Sequence, residues 1–99
     1  MAEWIYFIHA PRDDFSATMT EEEEAVWASH FARLQRLLAD GTLILAGPTL
    51  GGVNTGVTIF EAPDEAAAVR LMEGDPVIAA GYARGELRPF RVSLLRGRD

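Results

Sequence analysis

Residues 4–9 read Trp-Ile-Tyr-Phe-Ile-His, an unbroken apolar and aromatic run that ends in a histidine. Alternate side chains of a β-strand point to opposite faces, and in this run both faces are apolar. Such a segment is typical of a strand that is covered on both sides. We therefore predict an interior strand here, and the rest of the chain has to supply its neighbours.

A long amphipathic helix is predicted after this strand. Thr20 and Glu23 have the spacing of a capping box, in which each side chain accepts the backbone amide of the other residue. The acidic run at 21–24 lies at the positive end of the helix dipole, which explains it without a metal or a partner. Gly41 stands where a left-handed residue commonly ends a helix. The stripe expected to face the core consists of Trp27, His30, Phe31, Leu34, Leu37 and Leu38.

The remaining predicted elements are shorter. Strands are expected at 43–46 and 57–60, joined by a glycine-rich turn that matches no phosphate-binding motif. A second helix is expected over 63–74, a brief helical turn over 75–81 and a last strand over 87–95. The predicted inward faces are Ala68, Leu71 and Met72 in the helix, and Phe90, Val92 and Leu94 share one face of the last strand.

The order of these elements, β-α-β-β-α-β, predicts a ferredoxin-like α+β fold. Right-handed crossovers place both helices on one side of a four-stranded antiparallel sheet. We expect residues 1–99 to form a single domain. The sheet face without helices is still largely apolar in the first strand, so we expect a homodimer that pairs through these sheet faces.

Composition narrows the class of function. The chain has 99 residues, of which 48% are hydrophobic, and no cysteine, which leaves out disulfides and thiolate chemistry. Its formal net charge of −6 argues against nucleic acid or an anionic membrane surface as a partner, although arginines are frequent over 84–98. The N-terminal apolar run is too short for a signal peptide or a membrane span, so we expect a cytoplasmic protein.

Two sequence motifs carry a family resemblance. Residues 30–48 read HFARLQRLLADGTLILAGP, which resembles the H-x-x-x-L-x-x-L-x-x-x-G-x-L-x-x-A-G-P signature of the YciI-like (YCII) family. The segments 74–81 and 88–90 resemble the D-P-x-x-x-A-G segment and the terminal strand of that family. The polar segment 9–15 is longer than in the simplest members. The resemblance implies a dimeric α+β barrel, similar in architecture to muconolactone isomerase, with a histidine and an aspartate for acid/base chemistry in a pocket. On this sequence that pair is His30 and Asp75.

His30 also stands out from the residues alone, because it lies on the inward stripe where leucine would pack better. One interpretation is a core histidine bonded to a backbone carbonyl, and the other is an acid/base residue. Asp75 has two interpretations as well, since it directly precedes Pro76 and can cap the next helical turn. A capping aspartate with a free oxygen could also bond the imidazole, and the pair would then shuttle a proton.

Other polar residues are weaker candidates. We expect His9, Pro48 and Tyr82 to contact the substrate and Tyr6 to be a core aromatic first. Two histidines without ligand spacing do not predict a metal site, and no cofactor is expected. The predicted function is a small-molecule lyase or isomerase; the alternative is a non-catalytic ligand-binding or accessory module with the same pocket. An open cavity at a bonded His30–Asp75 pair would favour catalysis.

Overall fold

The computed structural model describes residues 2–97; Met1, Arg98 and Asp99 of the predicted domain lie outside the described residues. In chain order the elements are β1 (Ala2–His9), α1 (Phe15–Thr18), α2 (Glu21–Ala39), β2 (Leu43–Pro48), β3 (Thr55–Ala62), α3 (Glu65–Glu73), α4 (Pro76–Ala79) and β4 (Arg84–Phe90). Apart from the short α1, this is the predicted order.

The four strands form one antiparallel sheet in the order β2-β3-β1-β4. β1 therefore lies inside the sheet, and every residue from Ala2 to His9 has a partner on β3. The ferredoxin-like α+β prediction is confirmed, and so is the interior position of the first strand.

The main core lies between the sheet and the helices. Trp4, Tyr6 and Ile8 point from β1 toward the helices, and Ala68 of α3 and Val77 of α4 belong to the same buried cluster. All five are at most 9% exposed. β4 passes close beneath α3 and α4 at Gly85, where a Cβ atom would lie 2.7 Å from Ile78 and 2.9 Å from the Met72 sulfur. Any larger residue at this position would require the ends of the Ile78 and Met72 side chains to move.

Both ends of α2 are set by local hydrogen bonds. The Thr20 hydroxyl accepts the Glu23 amide at 3.1 Å, and the Glu23 carboxylate accepts the Thr20 amide at 2.8 Å, so the predicted capping box is confirmed. At the other end Gly41 has φ +87°, and the amide of Thr42 donates to the carbonyl of Leu37 at 3.0 Å. This is the hydrogen bond of a Schellman ending.

The inward stripe of α2 is narrower than predicted. Leu34 is buried, but Phe31 and Leu38 are 61% and 58% exposed. A continuous helical stripe is wider than the strip of sheet it covers, so its margins stay outside the contact. The prediction that these two side chains face the core is wrong for the single chain.

The predicted last strand is displaced along the chain. β4 begins at Arg84 rather than 87 and ends at Phe90 rather than 95, and it pairs with β1 from Glu3 to His9. The described part of β1 starts at Ala2, which lies opposite Arg91, so residues beyond Arg91 have no partner on the described part of β1. The amide of Val92 instead donates to the Glu3 carboxylate at 2.9 Å.

A short helix that sequence patterns did not indicate is attached to α2 by an arginine. Arg12 donates two hydrogen bonds, both of 2.9 Å, to the carboxylate of Glu23 and two more to Thr18. Its guanidinium also lies 5.0 Å above the ring of Phe15, which is buried against Trp27 with ring centroids 4.6 Å apart. These contacts hold α1 beside the beginning of α2.

The opposite side of the sheet carries an apolar surface that no helix within residues 2–97 covers. Directly paired residues of antiparallel strands share a face, so the register places five apolar side chains of β1, β2 and β3 on this surface, which we call the open face. They are Ile5, Phe7, Leu45, Val57 and Ile59. Leu45 is 48% exposed, whereas Ile5 is shielded by its neighbours. Within residues 2–97 no helix combines the length and apolar character needed to cross a membrane.

Glu23 makes the stability of the fold sensitive to acid. Hydrogen bonds from Arg12, and next the Thr20 amide, lower the pKa of Glu23 to about 2. An unfolded glutamate titrates near pH 4.3, so below about pH 5 the unfolded chain binds more protons and folding becomes less favourable. We expect the free energy of unfolding to fall between about pH 5 and about pH 3, and to fall less steeply in Glu23→Gln.

Urea denaturation followed by circular dichroism at several pH values measures this slope. Glu22→Gln is the matched control, because Glu22 is exposed in the same helical turn and makes none of these contacts. Equal slopes for the unsubstituted chain and Glu23→Gln would contradict the assignment.

Candidate active site

His30 and Asp75 come from different elements, and their side chains meet between α2 and the start of α4. His30 lies near the middle of α2, and Asp75 is the N-cap of α4. The Nδ1 atom of His30 is 2.8 Å from Oδ2 and 2.9 Å from Oδ1 of Asp75. The structure thus brings the two predicted residues within hydrogen-bond distance.

The Asp75 carboxylate is fully buried and accepts three kinds of donor. Besides His30, the hydroxyl of Tyr6 donates to Oδ2 at 2.7 Å and the amide of Val77 donates to Oδ1 at 3.2 Å. Burial by itself raises the pKa of Asp75, but the hydrogen bonds from His30 and then Tyr6 outweigh it and hold that pKa below its usual value. Asp75 therefore both caps α4 and carries a charge that faces His30.

Tyr6 is held as a hydrogen-bond donor. Burial, followed by the charge of Asp75, raises the pKa of the Tyr6 phenol far above its usual value. The raised pKa favours the protonated phenol, and its O–H is directed at the carboxylate. Its ring packs edge-on against Phe60 with centroids 5.7 Å apart, which fixes the position of the hydroxyl.

The hydrogen bond to Asp75 defines the tautomer of neutral His30. An ionised carboxylate can only accept, so Nδ1 carries the proton and Nε2 carries the lone pair. No group among residues 2–97 bonds Nε2, and Nε2 is not among the buried unpaired polar atoms of that range. His30 lines a cavity and 12% of its side chain is exposed. The free nitrogen of His30 is therefore the accessible one.

The cavity has a volume of about 710 Å³ and lies between α2 and the β2–β3 half of the sheet. One wall is aromatic, with Phe15, Trp27 and Phe31, and α1 contributes Ser16 at the rim. The opposite wall consists of residues of β2 and β3, among them Ala46, Gly47 and Gly56. Three uncharged polar side chains reach the lining, namely Ser16, Asn54 and Thr58.

Three further residues were predicted to contact substrate, and the structure separates them. Pro48 lines the cavity together with His30. His9 lies on the side of the sheet away from the helices, where its Nε2 is 2.9 Å from Glu86. Tyr82 follows α4 and does not line the cavity. His9 and Tyr82 thus do not line this cavity; for His9 the reason is that β1 turns it away from the helices.

Tyr6 is the core aromatic that we expected, fully buried in the main cluster, but its hydrogen bond to Asp75 was not predicted. The usable signal was its alternation with Trp4 and Ile8, which puts a phenol hydroxyl on the helix-facing side of an interior strand. A buried hydroxyl requires a partner, and Asp75 is that partner. Among residues 2–97 no three histidine or acidic side chains converge as metal ligands, and the absence of a cofactor stays a prediction.

Comparison with protein families matches residues 4–91 to the YCII-related domain. The chain belongs to the YCII-related family. The family resemblance seen in the sequence motifs is thereby confirmed, and the match runs from β1 to just beyond β4.

One solved structure similar to this YCII-related chain is the 5-chloro-2-hydroxyhydroquinone dehydrochlorinase of Burkholderia phenoliruptrix AC1100, in complex with 2,5-dihydroxybenzoquinone. The similarity covers 90% of this chain and 93% of that chain, with a TM-score of 0.69 and 19% sequence identity. At this identity the likeness establishes the shared fold. No curated protein matches the chain.

Removing the Tyr6 hydroxyl tests the buried network. Tyr6→Phe keeps the ring but leaves a carboxylate oxygen of Asp75 short of one donor, so we expect a loss of about 1–3 kcal/mol in the free energy of unfolding. Tyr82→Phe is the matched control, since no hydrogen bond of the Tyr82 hydroxyl is present among residues 2–97, and it should change stability by less than about 0.5 kcal/mol. Urea denaturation measures both. An equal effect of the two substitutions would argue against the network.

Proposed function

We propose that this YCII-related chain is a small-molecule enzyme of the lyase or isomerase type. In this proposal His30 moves a proton, and Asp75 orients the imidazole and stabilises the imidazolium. The observation that carries the proposal is the position of the imidazole: Nδ1 is bonded to a buried carboxylate at 2.8 Å, and the remaining nitrogen is accessible where His30 lines a cavity. A base needs this arrangement, because one nitrogen is fixed and the other faces the ligand.

The proton transfer follows from the tautomer. The Nε2 lone pair takes a proton from an acidic C–H or O–H group of the ligand, and the electron pair left behind moves into an adjacent carbonyl or ring. In an elimination the leaving group then departs with its bonding electrons, and in an isomerisation the proton returns to a different carbon. The Asp75 carboxylate stabilises the imidazolium that forms between the two steps.

The fixed position of Asp75 supports this role. Its bonds to Tyr6 and to the Val77 amide hold the carboxylate in place before a proton arrives, so little reorganisation is needed when the imidazolium forms. Tyr6 acts through Asp75 and is a positioning residue in this scheme.

The size and lining of the cavity support a small ring as ligand. A volume of about 710 Å³ falls within the range of roughly 300–1,000 Å³ that is common for small-molecule sites. Aromatic side chains on one wall suit a flat ring. The dehydrochlorinase with the same fold is an enzyme that removes a leaving group from a hydroxylated ring, and its complex holds a ring ligand. We therefore favour an elimination on a hydroxylated or carbonyl-bearing ring over a non-catalytic binding role.

We also propose that residues 1–99 act as one domain and that two copies pair through the open face. The apolar side chains of this face, with Leu45 half-exposed, would be covered by the same face of a second copy. Apolar burial of this kind contributes about 25 cal/mol per Å². Such an arrangement leaves the cavity accessible, since the cavity lies on the helix side of the sheet.

Proton abstraction can be measured before the natural substrate is known. The test compounds are hydroxyhydroquinones with and without a chlorine substituent. NMR in deuterium oxide measures the exchange of their acidic ring protons, which is the first step of either reaction. Release of chloride from the chlorinated compounds measures elimination. We expect His30→Gln to lower the rate by about 10²–10⁴-fold, because the base is lost. His9→Gln is the matched control, since His9 and His30 are the two histidines of the chain.

The control should keep nearly full activity, because His9 lies on the far side of the sheet. Unchanged rates in His30→Gln would overturn the catalytic proposal. Saturable ligand binding without any exchange or turnover would instead favour the binding-module alternative.

The proposed assembly has its own test. Leu45→Glu places two like charges in a symmetric interface, and we expect it to convert a dimer into a monomer in size-exclusion chromatography with light scattering. Leu50→Glu is the matched control, because Leu50 is 86% exposed at the cavity and away from the open face. A monomeric unsubstituted chain, or a dimeric Leu45→Glu variant, would contradict the proposal.

A further inference from the structure

The cavity lining contains a single titratable side chain. Among residues 2–97, His30 is the one charged or chargeable group that lines it, and the polar remainder consists of Ser16, Asn54 and Thr58. Neither an arginine nor a carboxylate reaches the lining within that range. A ligand that carries a formal charge would therefore meet no fixed counter-charge.

Within residues 2–97 none of the arginines lines the cavity. The chain has no lysine, so its nine basic residues are arginines. Arg12 is bonded to Glu23, Arg33 donates to the carbonyl of Leu71 at 2.8 Å, and Arg88 is paired with Glu86. The other arginines within residues 2–97 are exposed, namely Arg36, Arg70, Arg84, Arg91 and Arg96.

Protonated His30 does not supply the missing counter-charge. Its Nδ1 is 2.8 Å from the ionised carboxylate of Asp75, so the pair as a whole is neutral when the imidazole is charged and negative when it is not. The whole chain carries a formal charge of −6, which repels anions at longer range as well. Moving a carboxylate or phosphate out of water into such a site is costly, because within residues 2–97 the lining offers no cationic side chain besides the Asp75-paired His30 to compensate for the lost hydration.

The uncharged polar groups are suited to hydroxyl and carbonyl groups instead. The amide nitrogen of Asn54 donates to the Thr49 carbonyl at 2.7 Å, which leaves the amide oxygen of Asn54 free to accept a hydroxyl proton. Ser16 can donate or accept at the rim. The Phe15 and Trp27 rings offer faces on which an uncharged ring can stack.

From this charge distribution we infer that the cavity selects rings that are uncharged when they bind, bearing hydroxyl or carbonyl groups, and rejects ring carboxylates and phosphates. The inference rests on the proposed function and adds a rule of specificity to it. The ligand binds as a neutral molecule, and it becomes negatively charged only after His30 has taken its proton. Asp75 then balances the imidazolium, while the ligand keeps the negative charge in its own carbonyl system.

A pair of ligands that differ in charge but hardly in shape tests the inference. 3,5-Dihydroxybenzamide and 3,5-dihydroxybenzoate share the ring and both hydroxyls, and near neutral pH the amide is uncharged whereas the acid is an anion. NMR titration that follows the amides of Gly47 and Gly56, both of which line the cavity, gives the two dissociation constants. We expect the amide to bind at least about tenfold more tightly than the acid.

A variant with an added cation gives the reciprocal test. Ser16 is exposed at the cavity rim, so Ser16→Lys should place a positive charge there without disturbing the core. We expect Ser16→Lys to strengthen binding of the benzoate several-fold relative to the benzamide. The uncharged control Ser16→Gln loses the same hydroxyl and should affect both ligands alike, so that the ratio of their two dissociation constants stays that of the unsubstituted chain.

The outcomes separate the two proposals. Equal or tighter binding of the benzoate to the unsubstituted chain would overturn the charge rule and leave the catalytic proposal standing. If neither ligand shifts the cavity amides, the ring-binding site itself fails, and the proposed function with it. A preference for the benzamide that Ser16→Lys reverses or removes supports the charge rule.

Discussion

The buried carboxylate of Asp75 is the constraint on which the arrangement of this protein depends. An ionised group with no exposed surface is tolerated only when donors surround it, and here they come from three elements. Tyr6 belongs to β1, His30 to α2, and the Val77 amide to the first turn of α4. The carboxylate therefore ties the interior strand, the long helix and the short helix to one point.

The same contacts give His30 its chemical properties. The sequence allows two interpretations of His30, a core histidine and an acid/base histidine. In the structure the two are compatible, because one ring nitrogen is bonded in the core and the other is free for acid/base chemistry. Nδ1 is part of the buried network, and Nε2 is left accessible where the ring lines the cavity. The hydrogen bond that stabilises the fold is thus also the bond that would make His30 a suitable base.

The cavity owes its shape and its lack of charge to the segment after β1. Arg12 is bonded to Glu23 and stacks over Phe15, and this places α1 along the aromatic wall. The Arg12 guanidinium that lies over Phe15 is also bonded to the Glu23 carboxylate, so its charge is balanced there. The cavity wall therefore gains the Phe15 ring without an unpaired positive charge. The proposed preference for uncharged rings follows from the way this segment is anchored.

The sequence by itself determined the features that depend on near neighbours: the interior strand at 4–9, the capping box of Thr20 and Glu23, the helix end at Gly41 and the order of the elements. Local hydrogen bonds and side-chain periodicity act within a few residues, so a pattern can predict them. Family motifs in the sequence also pointed to His30 and Asp75, although the residues alone left each of them between a structural and a chemical role.

Tertiary structure decided the rest, namely that Tyr6 joins the pair, that Phe31 and Leu38 stay exposed, that His9 and Tyr82 lie off the cavity, and that β4 ends where β1 begins. The physical reason is distance along the chain: Tyr6 and Asp75 are 69 residues apart, and their hydrogen bond exists only because the sheet and α4 bring them together.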